Sequence, residues 1–206
     1  MAAFPNTAQL TTFDPPAEDP LYEDGAWGPL NAGFAQLYKT GSNTATGDGQ
    51  RWSIWVKEAF FGNAEVWACA GGGQLGAALE DWRVGLFTEI GTNEYDGYEV
   101  IVGGSLSKDL IVRRYTNGGF TQIGGLGSVG YPPLIGMSLT PSNVNVWIDT
   151  GAGWPPTPTL SIADNTYRGA MYAGIGLEDP TSGGLYFSCF GGGQPNRPQF
   201  FRWLYN

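Results

Sequence analysis

The sequence contains no histidine. That absence removes the serine–histidine–aspartate and cysteine–histidine nucleophile systems, and with them the usual ligand of zinc outside all-cysteine sites. Carboxylate chemistry is what remains for catalysis. Cysteine is nearly absent too: Cys69 and Cys189 are too few for a disulfide framework, and each sits in an apolar run where a buried thiol is the plain reading. Positive charge is sparse, with Lys and Arg numbering 10 against 19 Asp and Glu. The net charge of -9 and the scatter of the basic residues leave no phosphate-neutralising stripe, which argues against a nucleic-acid partner. No run approaches the roughly 18 apolar residues of a spanning helix, so no membrane insertion is expected. The opening "MAAFPNTAQLTTFDPP" lacks the basic start and apolar middle of a secretion signal, which points to a chain made in a cytoplasm.

What the chain has in quantity is glycine, 33 residues, and aromatic side chains, 14%. The glycines and 14 prolines punctuate short runs rich in Val, Ile, Trp, Tyr and Phe, the texture of an all-β protein. Residues 1–26, with "FDPPAEDPLYEDG", read as an extended arm or irregular first segment, and residues 27–206 as a single domain. "RWSIWVKEAFF" and "AEVWACA", separated by Gly62 and Asn63, read as a hairpin with Trp52, Ile54 and Val56 on one face. "QLGAALEDW" (74–82) spaces Leu75, Ala78, Leu79 and Trp82 as one short helix would. Ten or more further strands at regular spacing predict a β-sandwich or barrel. The shared C-x-G-G-G-Q of 68–74 and 188–194 suggests two strands with similar ends. If those strands are neighbours, Cys69 and Cys189 lie close, but a cytoplasmic origin favours free thiols.

The succession "FDPPAEDPLYEDGAW", "VGLFTEI" with "DGYEVIV", "DLIVRRYTNGG", "NVNVWIDTGAGW" and "TYRGAMYAGIGL" resembles concanavalin A-like lectin/glucanase domains. It is similar in texture to divergent members found in bacteriophage virion proteins. The resemblance covers about residues 13 to 205. It implies an antiparallel β-sandwich jelly roll whose concave sheet face handles sugars. It also implies a place on a particle, assembled in the host cytoplasm beside other virion subunits. Hydrolases of this fold carry E-x-D-x-x-E on a concave-face strand, and Glu94, Asp96 and Glu99 stand at that spacing. Retaining hydrolysis needs two such carboxylates flanking the scissile bond. Against it, "GTNEYDG" is turn chemistry, Tyr95, Gly97 and Tyr98 replace branched aliphatics, and a loop tip keeps carboxylates solvated near their ordinary pKa. The expected outcome is an acidic hairpin loop without catalysis. "EDPLYEDG" lacks calcium-loop spacing, so neither metal nor cofactor is expected.

Sugar binding without chemistry needs an aromatic face with polar side chains beside it. In "NVNVWIDT", Val144, Val146 and Ile148 alternate inward, leaving Asn145, Trp147 and Asp149 outward as a ligand platform, or as packing under a loop. Arg113 and Tyr115 either extend a glycan groove or serve an ion pair, and Trp154 in "GAGWPPTP" either contacts ligand or caps the sandwich edge. Phe201, Trp203 and Tyr205 share one face of the last strand, buried or awaiting another subunit. The function expected is thus a non-enzymatic virion component, oligomeric on its particle, with a lectin-like glycan face. The alternatives are a capsid cement protein binding only other subunits, and a glucanase using Glu94, Asp96 and Glu99.

Overall fold

Alternating apolar and polar residues build the long strands, and the two faces so created decide where each strand goes. The structure is a computed structural model and describes residues 4–72, 80–88, 94–104, 108–149, 151–179 and 184–195. Among the described residues the chain forms sixteen strands and no helix. They are β1 (Gln9–Thr11), β2 (Trp27–Gly28), β3 (Tyr38–Lys39), β4 (Ala45–Thr46), β5 (Gly49–Trp55), β6 (Phe60–Phe61), β7 (Glu65–Gly72) and β8 (Asp81–Phe87). Then come β9 (Gly97–Gly103), β10 (Asp109–Thr116), β11 (Gly119–Leu126), β12 (Leu134–Leu139), β13 (Asn143–Asp149), β14 (Leu160–Ala163), β15 (Ala170–Asp179) and β16 (Leu185–Gly193).

These strands make two antiparallel sheets. The first runs β14-β13-β12-β7-β16-β4-β3, with β1 also on β16. The second runs β11-β10-β9-β8-β15-β5-β2, with β6 also on β15. Their inner faces meet in one core: Val66, Ile135, Met137, Val144 and Val146 from the first sheet pack against Val84, Leu86, Val100, Val112, Ile175 and Leu177 from the second. This is the sandwich expected from the strand spacing. On β16 the inward Phe187 and Phe190 are three residues apart, and a register shift between Phe187 and Cys189 absorbs the extra residue.

Two local expectations are corrected, and a third lies mostly outside the described residues. β5 and β7 do not form a hairpin, because β5 pairs with β15 in the second sheet and β7 lies between β12 and β16 in the first. The reason is a fit between side chains and glycines. Trp52 and Ile54 lie over Gly176 and Gly174 of β15, where an added Cβ would stand 2.6 Å from the Trp52 indole and 2.3 Å from the Ile54 Cδ1. Leu75, Ala78 and Leu79 of the helical spacing over 74–82 lie outside the described residues, and Asp81 and Trp82 at the end of that stretch open β8. Finally, Cys69 and Cys189 are bonded, not free. They face one another in the β7–β16 register with Cα atoms 4.9 Å apart, a separation at which a bridge forms without backbone movement.

Residues 4–26 are largely irregular but closely packed. Phe13 and Leu21 are buried in the main core, and β1 adds to β16. The following loop carries Leu30 and Phe34 onto the outer face of the second sheet, over Trp52.

Candidate functional site

The acidic motif does not present its three carboxylates together. β9 begins at Gly97, whose φ of +147° and close approach to the Leu86 carbonyl exclude a side chain. Glu94 and Asp96 precede it, off the strand, as the turn chemistry predicted. Glu94 is exposed, while Asp96 accepts the backbone N–H of Asn117 at 2.6 Å and so pins its loop to the β10–β11 turn. Glu99 alone is on the strand, and here the expectation of solvated carboxylates fails: it is 0% exposed.

Register explains why Glu99 is tolerated there. It lies opposite Gly85 and Arg113 on the outer face of the second sheet. Its Oε1 stands 3.4 Å from Arg83 Nη1, and its Oε2 accepts the Tyr115 hydroxyl at 2.9 Å with Arg113 Nη1 at 3.6 Å. Burial pushes the Glu99 carboxyl above its ordinary value, against the pull of Arg83, Tyr115 and Arg113. Burial and the charge of Glu99 drive the Tyr115 phenol up, so it remains a donor. Arg83 also pairs with Asp81 and Glu178, making an ionic row across four strands, β15, β8, β9 and β10. Beside this row, Trp52, Ile54, Phe87 and Tyr95 close over with Leu30 and Phe34. Arg113 thus serves an ion pair, and its guanidinium also lies 4.1 Å from the exposed Phe120 ring. The row holds the buried Glu99 carboxyl between Arg83, Arg113 and Tyr115.

The platform predicted on β13 lies on the opposite side of the molecule, the outer face of the first sheet. Val144, Val146 and Ile148 enter the core, and Asn145, Trp147 and Asp149 point outward as alternation required. Trp147, however, is only 8% exposed, because the Phe4 ring covers it, parallel within 1° at a centroid distance of 4.7 Å. The Trp147 Nε1–H donates to Ser138 Oγ at 3.0 Å. Trp154 stands edge-on to the same Phe4 ring at 4.8 Å, and Trp67 joins the cluster from β7. Asp149 is not part of the platform; its Oδ1 accepts the N–H groups of Gly151 and Gly153 and closes the turn after β13. Asn145 faces β14, taking a hydrogen bond from Ser161.

Beside the stack is a cleft of about 190 Å³ lined by Asn6, Asn63, Glu65, Ser138, Asn145 and Trp147, among others. Glu65 is 3% exposed, and its carboxylate accepts the Asn6 backbone N–H at 2.8 Å, the Asn6 amide at 3.2 Å and the Thr7 hydroxyl at 3.3 Å. Burial raises the pKa of Glu65, partly offset by those hydrogen bonds. Among the described residues no Lys or Arg pairs with it.

The predicted ligand residues therefore divide. Asn145, Trp147 and Trp154 come together on one face, whereas Arg113 and Tyr115 belong to the other. Phe201, Trp203 and Tyr205 lie outside the described residues. Phe4, Glu65 and Ser138 are additions that the sequence pattern did not single out. The alternation of "AEVWACA" carried a signal for Glu65 and Trp67, since Val66 and Ala68 take the inward positions. Among the described residues no group of three or more Asp, Glu or Cys is placed to hold a metal ion.

No protein-family model and no curated protein sequence matches the chain. Solved structures do. The exoplasmic/lumenal domain of VIP36 in its Ca2+/Man2-bound form superposes with a TM-score of 0.60 at 10% identity, covering 86% of this chain and 87% of that one. A pseudo β-1,3-glucanase of Mycobacterium tuberculosis, described as an immunostimulatory antigen, gives 0.55 at 13% identity over 88% and 96% of the two chains. A glycoside hydrolase family protein from Mycobacterium thermorestibile gives 0.52 at 13% over 88% and 98%. With its two antiparallel sheets and this likeness, the chain has the concanavalin A-like jelly-roll fold.

Proposed function

We propose that the protein is a non-enzymatic, glycan-binding jelly-roll module on the head or tail surface of a bacteriophage particle, with its ligand face around Trp147. The observation that carries this is the parallel aromatic stack on Trp147, flanked by Asn145, Ser138 and Glu65. Pyranose rings offer an apolar face to an indole and hydroxyls to amides and carboxylates, which is the combination gathered here. Support comes from the fold shared with a domain solved with Man2 and with a protein named for glucan chemistry. Placement on a particle rests on the order of segments and on the Cys69–Cys189 bond, a linkage usual at virion and cell surfaces.

A specific feature favours a second role, as a capsid cement protein binding only other subunits. β11 is an edge strand whose Phe120 is 58% exposed, and such an edge offers unpaired backbone groups to a neighbouring subunit. Glycoside hydrolysis by Glu94, Asp96 and Glu99 has less in its favour, because the Glu99 oxygens are engaged by Arg83, Arg113 and Tyr115. The test is a glycan array of the purified protein with Trp147→Ala as control and released reducing ends assayed on every glycan bound. Selective binding lost in the variant, without cleavage, is the expected result. Cleavage abolished by Glu99→Gln would replace the proposal with the glucanase, and no binding at all would favour the cement role.

A further inference from the structure

We infer that Phe4, Asn6 and Thr7 are a tethered occupant of the Trp147 site, and that a pyranose ligand enters by displacing them. This rests on the Trp147 face being the ligand face, and it adds what fills that face in the free protein. The hollow is built by an omission. Gly136 lies between Trp67 and Trp147 in the β7–β12–β13 register, and an added Cβ there would stand 2.5 Å from the Phe4 ring and 3.2 Å from Trp154. A glycine floor with tryptophan walls takes one flat ring, and Phe4 is that ring.

The polar half of the site is filled by the same segment. Glu65 is a buried carboxylate without a cation among the described residues, and Asn6 and Thr7 supply its hydrogen bonds. A buried carboxylate is costly unless donors satisfy it. Two adjacent sugar hydroxyls are donors of the same kind, so a pyranose stacked on Trp147 can replace both the Phe4 ring and the Asn6 and Thr7 donors. The segment is also poised to leave. Its backbone pairing with β16 starts only at Ala8 and Gln9, so residues 4–7 are held by the ring stack and by Glu65. The cleft beside Asn6, Asn63 and Asn145 continues from the hollow and gives a longer saccharide somewhere to run.

The experiment compares the intact protein with the double variant Phe4→Ala/Asn6→Ala and, separately, with Phe4→Ala, which removes the ring and leaves the Asn6 and Thr7 donors on Glu65. Thermal unfolding establishes that each variant is folded, and hydroxyl-radical footprinting reads the exposure of Trp147. Calorimetric titration uses dimannose and a β-1,3-glucan oligosaccharide, together with any glycan the array returns. The expected result is Trp147 newly labelled in both variants and binding about 10- to 100-fold tighter than in the intact protein, since a site occupied most of the time by its own segment loses affinity by the fraction left open. Equal affinities with Trp147 exposed would overturn displacement while leaving glycan binding intact. Weaker binding in the variants would make the segment part of the ligand's wall, which also overturns it. Binding by none of the three proteins would overturn both the displacement and the glycan-binding function.

Discussion

The hydroxyl of Tyr98 on β9 donates to Asp164 Oδ1 at 2.6 Å, and Arg114 of β10 reaches Oδ2 of the same carboxylate at 2.7 Å. Asp164 follows β14, so this one side chain links the edge of the first sheet to the second. Burial acts to raise its pKa, but the hydrogen bonds from Tyr98, Thr166 and Arg114 outweigh burial and hold it below the ordinary 3.8. A lowered carboxylate contributes stability that is present above its unfolded value and lost as pH falls through the folded one. Asp164→Asn is therefore expected to cost about 2 kcal/mol at pH 7, the scale of hydrogen bonds to a charged group. Urea unfolding of both proteins at pH 7 and in strong acid checks this: the gap should close below pH 3.8, and a gap that persists in acid would contradict it.

Glu99 is predicted to be structural. Replacing it by alanine takes one of three carboxylates from Arg83 and removes the partner of Arg113 and the Tyr115 hydroxyl, a loss on the order of 3 kcal/mol. The double variant Glu99→Leu/Arg83→Met should not recover that loss, because it also takes Arg83 from Asp81 and Glu178. Denaturant midpoints of the parent, Glu99→Leu, Arg83→Met and the double variant measure the coupling. A Glu99→Ala protein as stable as the parent would show that the ionic row contributes nothing.

The Cys69–Cys189 bond closes a separation of 120 residues. Chain-entropy reasoning puts its contribution at about 5 kcal/mol. Cys189→Ala, or reduction under unfolding conditions, should lower the unfolding midpoint accordingly. Non-reduced peptide mapping should recover the cross-linked pair, and alkylation of both thiols in the untreated protein would refute the bond.

Much of the fold is legible in the sequence because it follows from local alternation. Val144, Val146 and Ile148 announce which side of β13 enters the core, and the same alternation puts Asn145 and Trp147 on the outward side. What local pattern does not carry is the partner of each face. Phe4 covers Trp147 from the far end of the chain, and nothing in "NVNVWIDT" encodes that. The Trp52 and Ile54 alternation is plain in the sequence, yet its partner strand is not, because Gly174 and Gly176 are far along the chain. Glu99 reads as part of a solvated loop because the turn residues run up to Gly97 and blur where the strand begins. Its cations, Arg83 and Arg113, come from strands on either side and become visible only once the register is known.

Trp147 should separate packing from binding. Trp147→Ala removes a largely buried indole and is expected to cost about 3 kcal/mol of stability. Trp147→Phe keeps a flat ring under Phe4 and should lose much less. If glycan affinity follows ring stacking, the Phe variant retains measurable binding and the Ala variant none. Identical affinities in all three would remove Trp147 from the site.

The most direct measurement is a residue-resolved NMR titration of the intact protein with the tightest glycan from the array. The largest shifts are predicted at the Trp147 indole N–H, the Asn145 amide and the Phe4 ring, with the Glu99 row on the opposite face unmoved. Shifts centred instead on Arg113, Tyr115 and Phe120 would place the ligand on the second sheet and contradict the assignment of the functional face.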